Sequence, residues 1–345
     1  MKMTFRWYGP GDSISLRAIR QIPGMTGVVT AVYDVPVGQP WPPERIEALR
    51  DQCRAENLEM KVIESVPVHE DIKLGRPTRD RYIAAYAETI RNLGKCGVKC
   101  VCYNFMPVFD WLRTNLHTVA ADGSDSLSYR HKELMALDPH DLHLPGWDES
   151  YTSKELNTLL DAYRGMTHET LFANLVYFLN GIMPACDEAG IDMAIHPDDP
   201  PWDMFGLPRI IVNQKSYDDL FAAVPNAHNG ITLCTGSLGA GRQNDLVQMA
   251  AKLAKRTYFA HLRQIRHEGE LDFCECGHRT DGGSLDMFGI VKALVENGFD
   301  GYVRPDHGRN IWGEDGKPGY GLYDRALGAC YLSGLFEAVQ KMERK

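Results

Sequence analysis

Four apolar runs in this sequence stop abruptly at residues able to bind a metal or carry charge. Ile191-Asp-Met-Ala-Ile-His196 leads into Pro-Asp-Asp-Pro-Pro, and Gly230-Ile-Thr-Leu-Cys234 into Thr-Gly-Ser-Leu-Gly. Thr257-Tyr-Phe-Ala-His261 leads into Leu-Arg-Gln, and Gly301-Tyr-Val-Arg304 into Pro-Asp306-His307-Gly-Arg309. Imidazole nitrogen, thiolate sulfur and carboxylate oxygen together suit a transition metal and serve calcium or magnesium poorly. Taken singly each residue is ordinary, since a cysteine ending an apolar strand is most often a small core side chain. One such side chain from each of four successive strand ends is a stronger pattern. It predicts that His196, Cys234, His261 and Asp306 converge on one divalent cation. The donor set alone points to zinc first, then to iron(II) or manganese.

Proton-transfer groups stand beside these ligands. His307 follows Asp306 directly, and Tyr320 sits in the loop beyond the same strand, so the two are the expected acid–base pair. If the substrate is anionic the site must supply local positive charge, and Arg304 is the expected clamp because its planar fork matches a carboxylate. Arg263 and Arg309 would assist it. Asp198 and Asp199 would bind substrate hydroxyls or orient His196, their bland alternative being turn formation between Pro197 and Pro200. In Cys274-Glu-Cys276-Gly-His278, one turn offers too few separated ligands for a closed structural metal site. Glu275 and His278 are therefore expected to face the substrate from a lid. Arg6 and Trp7, within the first strand-like run, and Asn104, at the end of the fourth, complete the expected substrate-binding set.

Positioning these ends requires a particular frame. Strand-like runs at Phe5–Tyr8, Val28–Tyr33, Glu59–Glu64 and Val98–Tyr103 precede the four above, and helical patterns separate successive runs. Eight alternations imply a parallel sheet, because parallel neighbours need crossover helices. Closure gives a (β/α)8 barrel, an α/β fold whose reactive groups occupy the carboxyl ends of the strands. A doubly wound open sheet is the competitor, but no Gly-x-Gly-x-x-Gly follows the first strand. Residues 1–345 are thus expected to form one barrel domain. A long insertion after the fourth strand, about 105–166, is rich in turn formers, and residues 263–283 form a second long loop. Asp12 or Ser13 is the expected cap of the first helix, 14–22.

The net charge of −9 argues against a nucleic-acid partner. No apolar stretch approaches the ~20 residues of a membrane helix, and the amino terminus lacks a secretory apolar region. Nine cysteines, an odd number lying mostly in apolar segments, favour reduced thiols and a cytoplasmic location.

The sequence resembles the mannonate dehydratase family along essentially its whole length. The most specific pieces are Phe-Arg-Trp-Tyr-Gly at 5–9, Ala-Ile-His196-Pro-Asp-Asp-Pro-Pro, Cys234-Thr-Gly-Ser, Phe-Ala-His261-Leu-Arg, Arg304-Pro-Asp306-His307-Gly-Arg and Gly-Tyr320-Gly. The resemblance implies a xylose-isomerase-like barrel and a divalent metal, Mn2+ or Fe2+, on His196, Cys234, His261 and Asp306. That displaces zinc. It further implies dehydration of D-mannonate to 2-dehydro-3-deoxy-D-gluconate in hexuronate catabolism, with His307 and Tyr320 moving the protons. The Cys274/Cys276 loop departs from the family pattern, although Glu275 and His278 fit it. The nearest rival is an isomerase or epimerase acting on a neutral sugar. The expected partner is a small sugar acid, within a homo-oligomer.

Overall fold

A computed structural model describes residues 1–138 and 152–343. In chain order its strands are β1 (Lys2–Arg6), β2 (Gly27–Thr30), β3 (Glu59–Glu64), β4 (Cys100–Tyr103), β5 (Asn115–Val119), β6 (Asp125–Tyr129), β7 (Asp192–Ile195), β8 (Asn229–Cys234), β9 (Thr257–His261), β10 (Ile265–His267), β11 (Phe273–Glu275) and β12 (Tyr302–Arg304). The helices are α1 (Leu16–Arg20), α2 (Pro43–Ala55), α3 (Glu70–Lys73), α4 (Arg79–Lys95), α5 (His131–Met135), α6 (Ser153–Ala162), α7 (His168–Ala189), α8 (Gln214–Ala223), α9 (Thr235–Ala240), α10 (Leu246–Leu253), α11 (Met287–Glu296) and α12 (Tyr323–Glu343).

The expected (β/α)8 barrel is present. Eight strands close in the order β1-β12-β9-β8-β7-β4-β3-β2, and every pairing among them is parallel. Alternation along each strand divides the apolar residues between two layers. Val29, Val62, Cys100, Cys102, Ala194 and Phe259 fill the barrel interior. Phe5, Ile63, Val101, Ile195 and Val303 face outward into the core beneath the helices. Each such side chain, fully buried, contributes roughly 1.5–3 kcal/mol.

Helix boundaries follow local chemistry. Pro43 opens α2, where its missing N–H costs nothing. Thr167 caps α7 through the N–H of Thr170, and Gly190 ends it at φ 62°, a conformation that favours glycine. Pro184 lies within α7 and does not end it. The cap of α1 is Ser15 rather than Asp12 or Ser13. Asp12 instead accepts the backbone N–H groups of Tyr8 and Ile14, fixing the turn after β1.

The two segments read from sequence as loops carry a second sheet. β5 and β6, from the insertion, pair with β11 and β10, from the segment after β9, in the antiparallel order β10-β11-β6-β5. This sheet is tied to other barrel loops as well. Trp111 bridges to Asp199 beyond β7, and Asp125 exchanges backbone hydrogen bonds of 3.0 and 2.8 Å with Asn310 beyond β12. The carboxyl-terminal end of the barrel is thereby partly roofed. Among the described residues, no helix is long and apolar enough to cross a membrane.

Candidate active site

Sheet register explains why residues remote in sequence meet. Cys234 is the register partner of His261, and His261 of Arg304, so three adjacent strands end in one row. His196 stands just past β7, its N–H donated to the carbonyl of Tyr103 at the end of β4. The ligand atoms of His196, Cys234 and His261 lie within 4.8 Å of one another. Asp306 joins them, with Oδ2 3.5 Å from Cys234 Sγ and Oδ1 3.7 Å from His261 Nδ1.

The electrostatics suit a cation. Burial and the Asp306 carboxylate oppose ionisation of Cys234, but the Arg263 guanidinium and His196 prevail and hold the thiol down at about 5. Ser237 also donates to that sulfur over 3.1 Å. His196 moves the other way, to about 9, because the adjacent thiolate outweighs its burial. Burial likewise opposes ionisation of Asp306, yet Arg304, followed by His307, His261 and Arg263, keeps it well below the usual carboxylate range. Around these groups, four carboxylates (Glu64, Asp199, Glu275, Asp306) face three buried guanidiniums (Arg113, Arg263, Arg304). Within the donor set itself, the Cys234 thiolate and the Asp306 carboxylate outweigh the single His196 imidazolium. His261 Nδ1 is buried without a hydrogen-bond partner. An orphaned imidazole nitrogen in a negatively charged donor set is what a divalent cation would satisfy.

A second cluster adjoins the first. His307 Nε2 lies 2.8 Å from the Tyr320 hydroxyl, and its Nδ1 lies 2.8 Å from Glu275 Oε1. The Glu275 carboxyl sits at about 2; burial works against this, but His307, Arg263 and Arg113 overcome it. An ionised carboxylate only accepts, so Nδ1 carries the proton and a neutral ring leaves Nε2 as an acceptor. Arg263 Nη1 is 3.1 Å from Nδ1, but both are then donors, and Glu275 bridges them. Burial pushes the Tyr320 phenol well above its ordinary value. His307 and Tyr320 face a cavity of about 1340 Å3, lined near its floor also by His196, Asp306, Arg304 and Glu64.

The expected substrate-binding residues separate into groups. Arg6 and Asn104 line the cavity. Trp7 does not: strand alternation turns it outward into the helix-facing core while Arg6 points inward. Asp198 is buried and accepts the N–H groups of Ile210 at 2.6 Å and Ile211 at 3.0 Å, so it organises a loop. Arg263 and Glu275 lie behind His307 and do not line the cavity. His278 is buried against Gly328, where an added Cβ would meet its ring at 2.6 Å. Arg309 binds Asp324 of α12 at 2.9 Å and Asp122 of the insertion at 2.7 Å, a tether between the two. Arg304 is no free clamp: Glu64 and Asp306 neutralise it at 2.9 and 2.8 Å, and its Nε lies 3.0 Å from His261 Nε2.

Two residues of this site were missed by sequence reasoning. Arg113, from the insertion, grips Asp199 at 2.9 Å and Glu275 at 2.7 Å. Nothing in Trp-Leu-Arg-Thr marks it. Glu64 ends β3, places Oε2 3.4 Å from His261 Nε2 and forms a further ligand-like group with Cys102 and His261. Its signal was the one used for the four ligands, an apolar run ending in a charged residue.

Comparison with known proteins agrees with this frame. The family model described as D-mannonate dehydratase (UxuA) matches residues 1–345. Mannonate dehydratase 2 of Halalkalibacterium halodurans is 52% identical over 343 residues, covering 98% of this chain and 99% of that protein. The mannonate dehydratase of Thermotoga petrophila is 50% identical over 359 residues, covering 100% and 99%. The crystal structure of mannonate dehydratase from Streptococcus suis superposes with a TM-score of 0.92 at 47% identity, covering 100% of this chain and 95% of that one. A D-psicose 3-epimerase from Clostridium cellulolyticum shares the fold at a TM-score of 0.57 and 13% identity. Matched from end to end and half identical to several of its members, this chain belongs to the D-mannonate dehydratase family.

Proposed function

We propose that the chain dehydrates D-mannonate to 2-dehydro-3-deoxy-D-gluconate, a hydro-lyase reaction of sugar-acid breakdown. The observation that carries this reading is the juxtaposition of the His196–Cys234–His261–Asp306 donor set with the His307–Tyr320 pair around one cavity. His196, Cys234, His261 and Asp306 would hold a divalent transition metal, Mn2+ or Fe2+. Such a cation supplies Lewis-acid polarisation of substrate oxygens, lowering the cost of charge that builds beside the carboxylate.

The protein's own groups account for the protons. Nε2 of His307 takes the C2 proton, with Nδ1 held by Glu275 so that the emerging imidazolium is paired. Tyr320, a phenol kept neutral by burial, protonates the departing C3 hydroxyl, which leaves as water. The enol then becomes the 2-keto acid. Across the 2.8 Å contact His307 returns its proton to the Tyr320 phenolate, restoring both groups.

The same reading includes a homo-oligomer and a cytoplasmic setting, which nine unpaired thiols suit. The test is to incubate metal-reconstituted protein with a panel of hexonates and assay 2-keto-3-deoxy acid. A C3-epimerised or isomerised sugar, with no keto-deoxy acid, would replace dehydration with the epimerase reading.

A further inference from the structure

A sugar acid brings a carboxylate into a chain of net charge −9, and two buried arginines, Arg304 at the floor and Arg263 behind it, are already spent. Arg304 is neutralised by Glu64 and Asp306, and Arg263 by Asp199, Glu275 and Asp306. Farther along the cavity, Lys73 pairs with Glu70 and Arg76 with Asp71, at 2.7 and 2.9 Å. A guanidinium already held by two carboxylates has little attraction left for a third anion.

Two other cations line the reacting end differently. Arg6 is 7% exposed, and its Nη1 is buried with no hydrogen-bond partner. Its guanidinium stands 4.8 Å from the centre of the Tyr8 ring. Lys317 Nζ lies 4.0 Å from the centre of that same ring and 5.6 Å from the centre of Tyr320. Among the described residues neither cation has a carboxylate within 4.0 Å, and both line the cavity. Tyr8 packs edge-on against Tyr320 at 5.1 Å, so this platform adjoins the proton-transfer pair. An aromatic face steadies a cation without neutralising it.

We infer that Arg6 and Lys317, held on the Tyr8 ring, form the receptor for the substrate carboxylate. This rests on the reading of the substrate as a sugar acid and adds which group is recognised and by what. Lys317 is the more informative position because it is exposed, so its replacement leaves the core intact. It belongs to the loop that carries Tyr320, yet its ammonium stands 5.6 Å from the centre of that ring, so its loss is read in binding and not in the proton-transfer step.

The experiment compares the metal-loaded wild-type enzyme with Lys317→Met and Lys317→Arg. Turnover of D-mannonate, equilibrium binding of D-mannonate, and inhibition by D-mannitol, in which a hydroxymethyl group replaces the carboxylate, are measured for each. Lys317→Met is expected to raise KM and the dissociation constant for D-mannonate at least tenfold, with kcat within threefold. The inhibition constant for D-mannitol should stay within twofold, and Lys317→Arg should recover most of the loss. Unchanged D-mannonate binding in Lys317→Met, or equal weakening of D-mannonate and D-mannitol, would overturn the receptor. Binding is read apart from turnover, so a wild-type enzyme that binds D-mannonate without forming keto-deoxy acid overturns the proposed reaction instead.

Discussion

The Tyr320 hydroxyl and His307 Nε2 stand 2.8 Å apart at the floor of the cavity, the imidazole held from behind by Glu275. Two proton-transfer groups in direct contact can exchange a proton between turnovers without solvent. If they carry the acid and base roles, His307→Asn and Tyr320→Phe should each lower kcat by about 10²–10⁴-fold while the metal content is unchanged. Steady-state kinetics alongside metal analysis check this. Turnover near that of wild type in either variant removes that residue from the pair.

Cys234 contributes the sole sulfur to the candidate cation site formed with His196 and His261. Cys234→Ala should purify with little bound metal and lose activity, and prolonged chelation should inactivate the wild-type enzyme. Restoration by Mn2+ or Fe2+ distinguishes metal loss from unfolding. Full metal occupancy in Cys234→Ala would contradict the assignment.

The pH behaviour of the metal-free protein has a definite sign. An ordinary cysteine ionises near 8.5, so its thiolate signal grows between pH 7 and 10. Burial opposes the Cys234 thiolate, but Arg263 and His196 hold it at about 5, so it is ionised across neutral pH and protonates as the pH falls through about 5. Because this folded value is depressed, its contribution to stability is complete above the unfolded value and lost on acidification through about 5. The thiolate absorbance difference between wild type and Cys234→Ala should be flat from pH 6 to 8 and fall below it. A midpoint near 8.5 would refute the thiolate.

Arg113 carries two buried carboxylates on one guanidinium and is itself fully buried. Removing it strands Asp199 and Glu275 without that partner, a loss that typically costs about 3–5 kcal/mol. Arg113→Met should therefore lower the denaturation midpoint and slow turnover, since Glu275 positions His307. A second substitution probes the same array from another side. A Cβ at Gly236 would come 2.1 Å from Arg263 Nε, so Gly236→Ala should displace that arginine and reduce kcat. Stability and activity within error of wild type in both variants would show the array to be dispensable.

The barrel and most of the proposed cation site were legible because each depends on a local pattern. A buried parallel strand is a short apolar run, and a reactive side chain at its carboxyl end interrupts that run visibly, as at His196, Cys234 and His261. Tertiary structure decided the rest. Whether Arg6 or Trp7 enters the barrel turns on a one-residue parity that the aromatic run Phe-Arg-Trp-Tyr conceals. β5, β6, β10 and β11 are three to five residues long, and β6 buries serines where a core strand would bury apolar groups, so no apolar period announced them. The partners of Arg113, Arg304 and Arg309 are up to 240 residues distant in sequence, and charge pairing leaves no periodic trace. Sequence therefore determined which side chains end the strands, because burial is written in apolar runs. Only the folded chain decided which arginines are neutralised and which cations stay free, because Coulomb attraction acts through space.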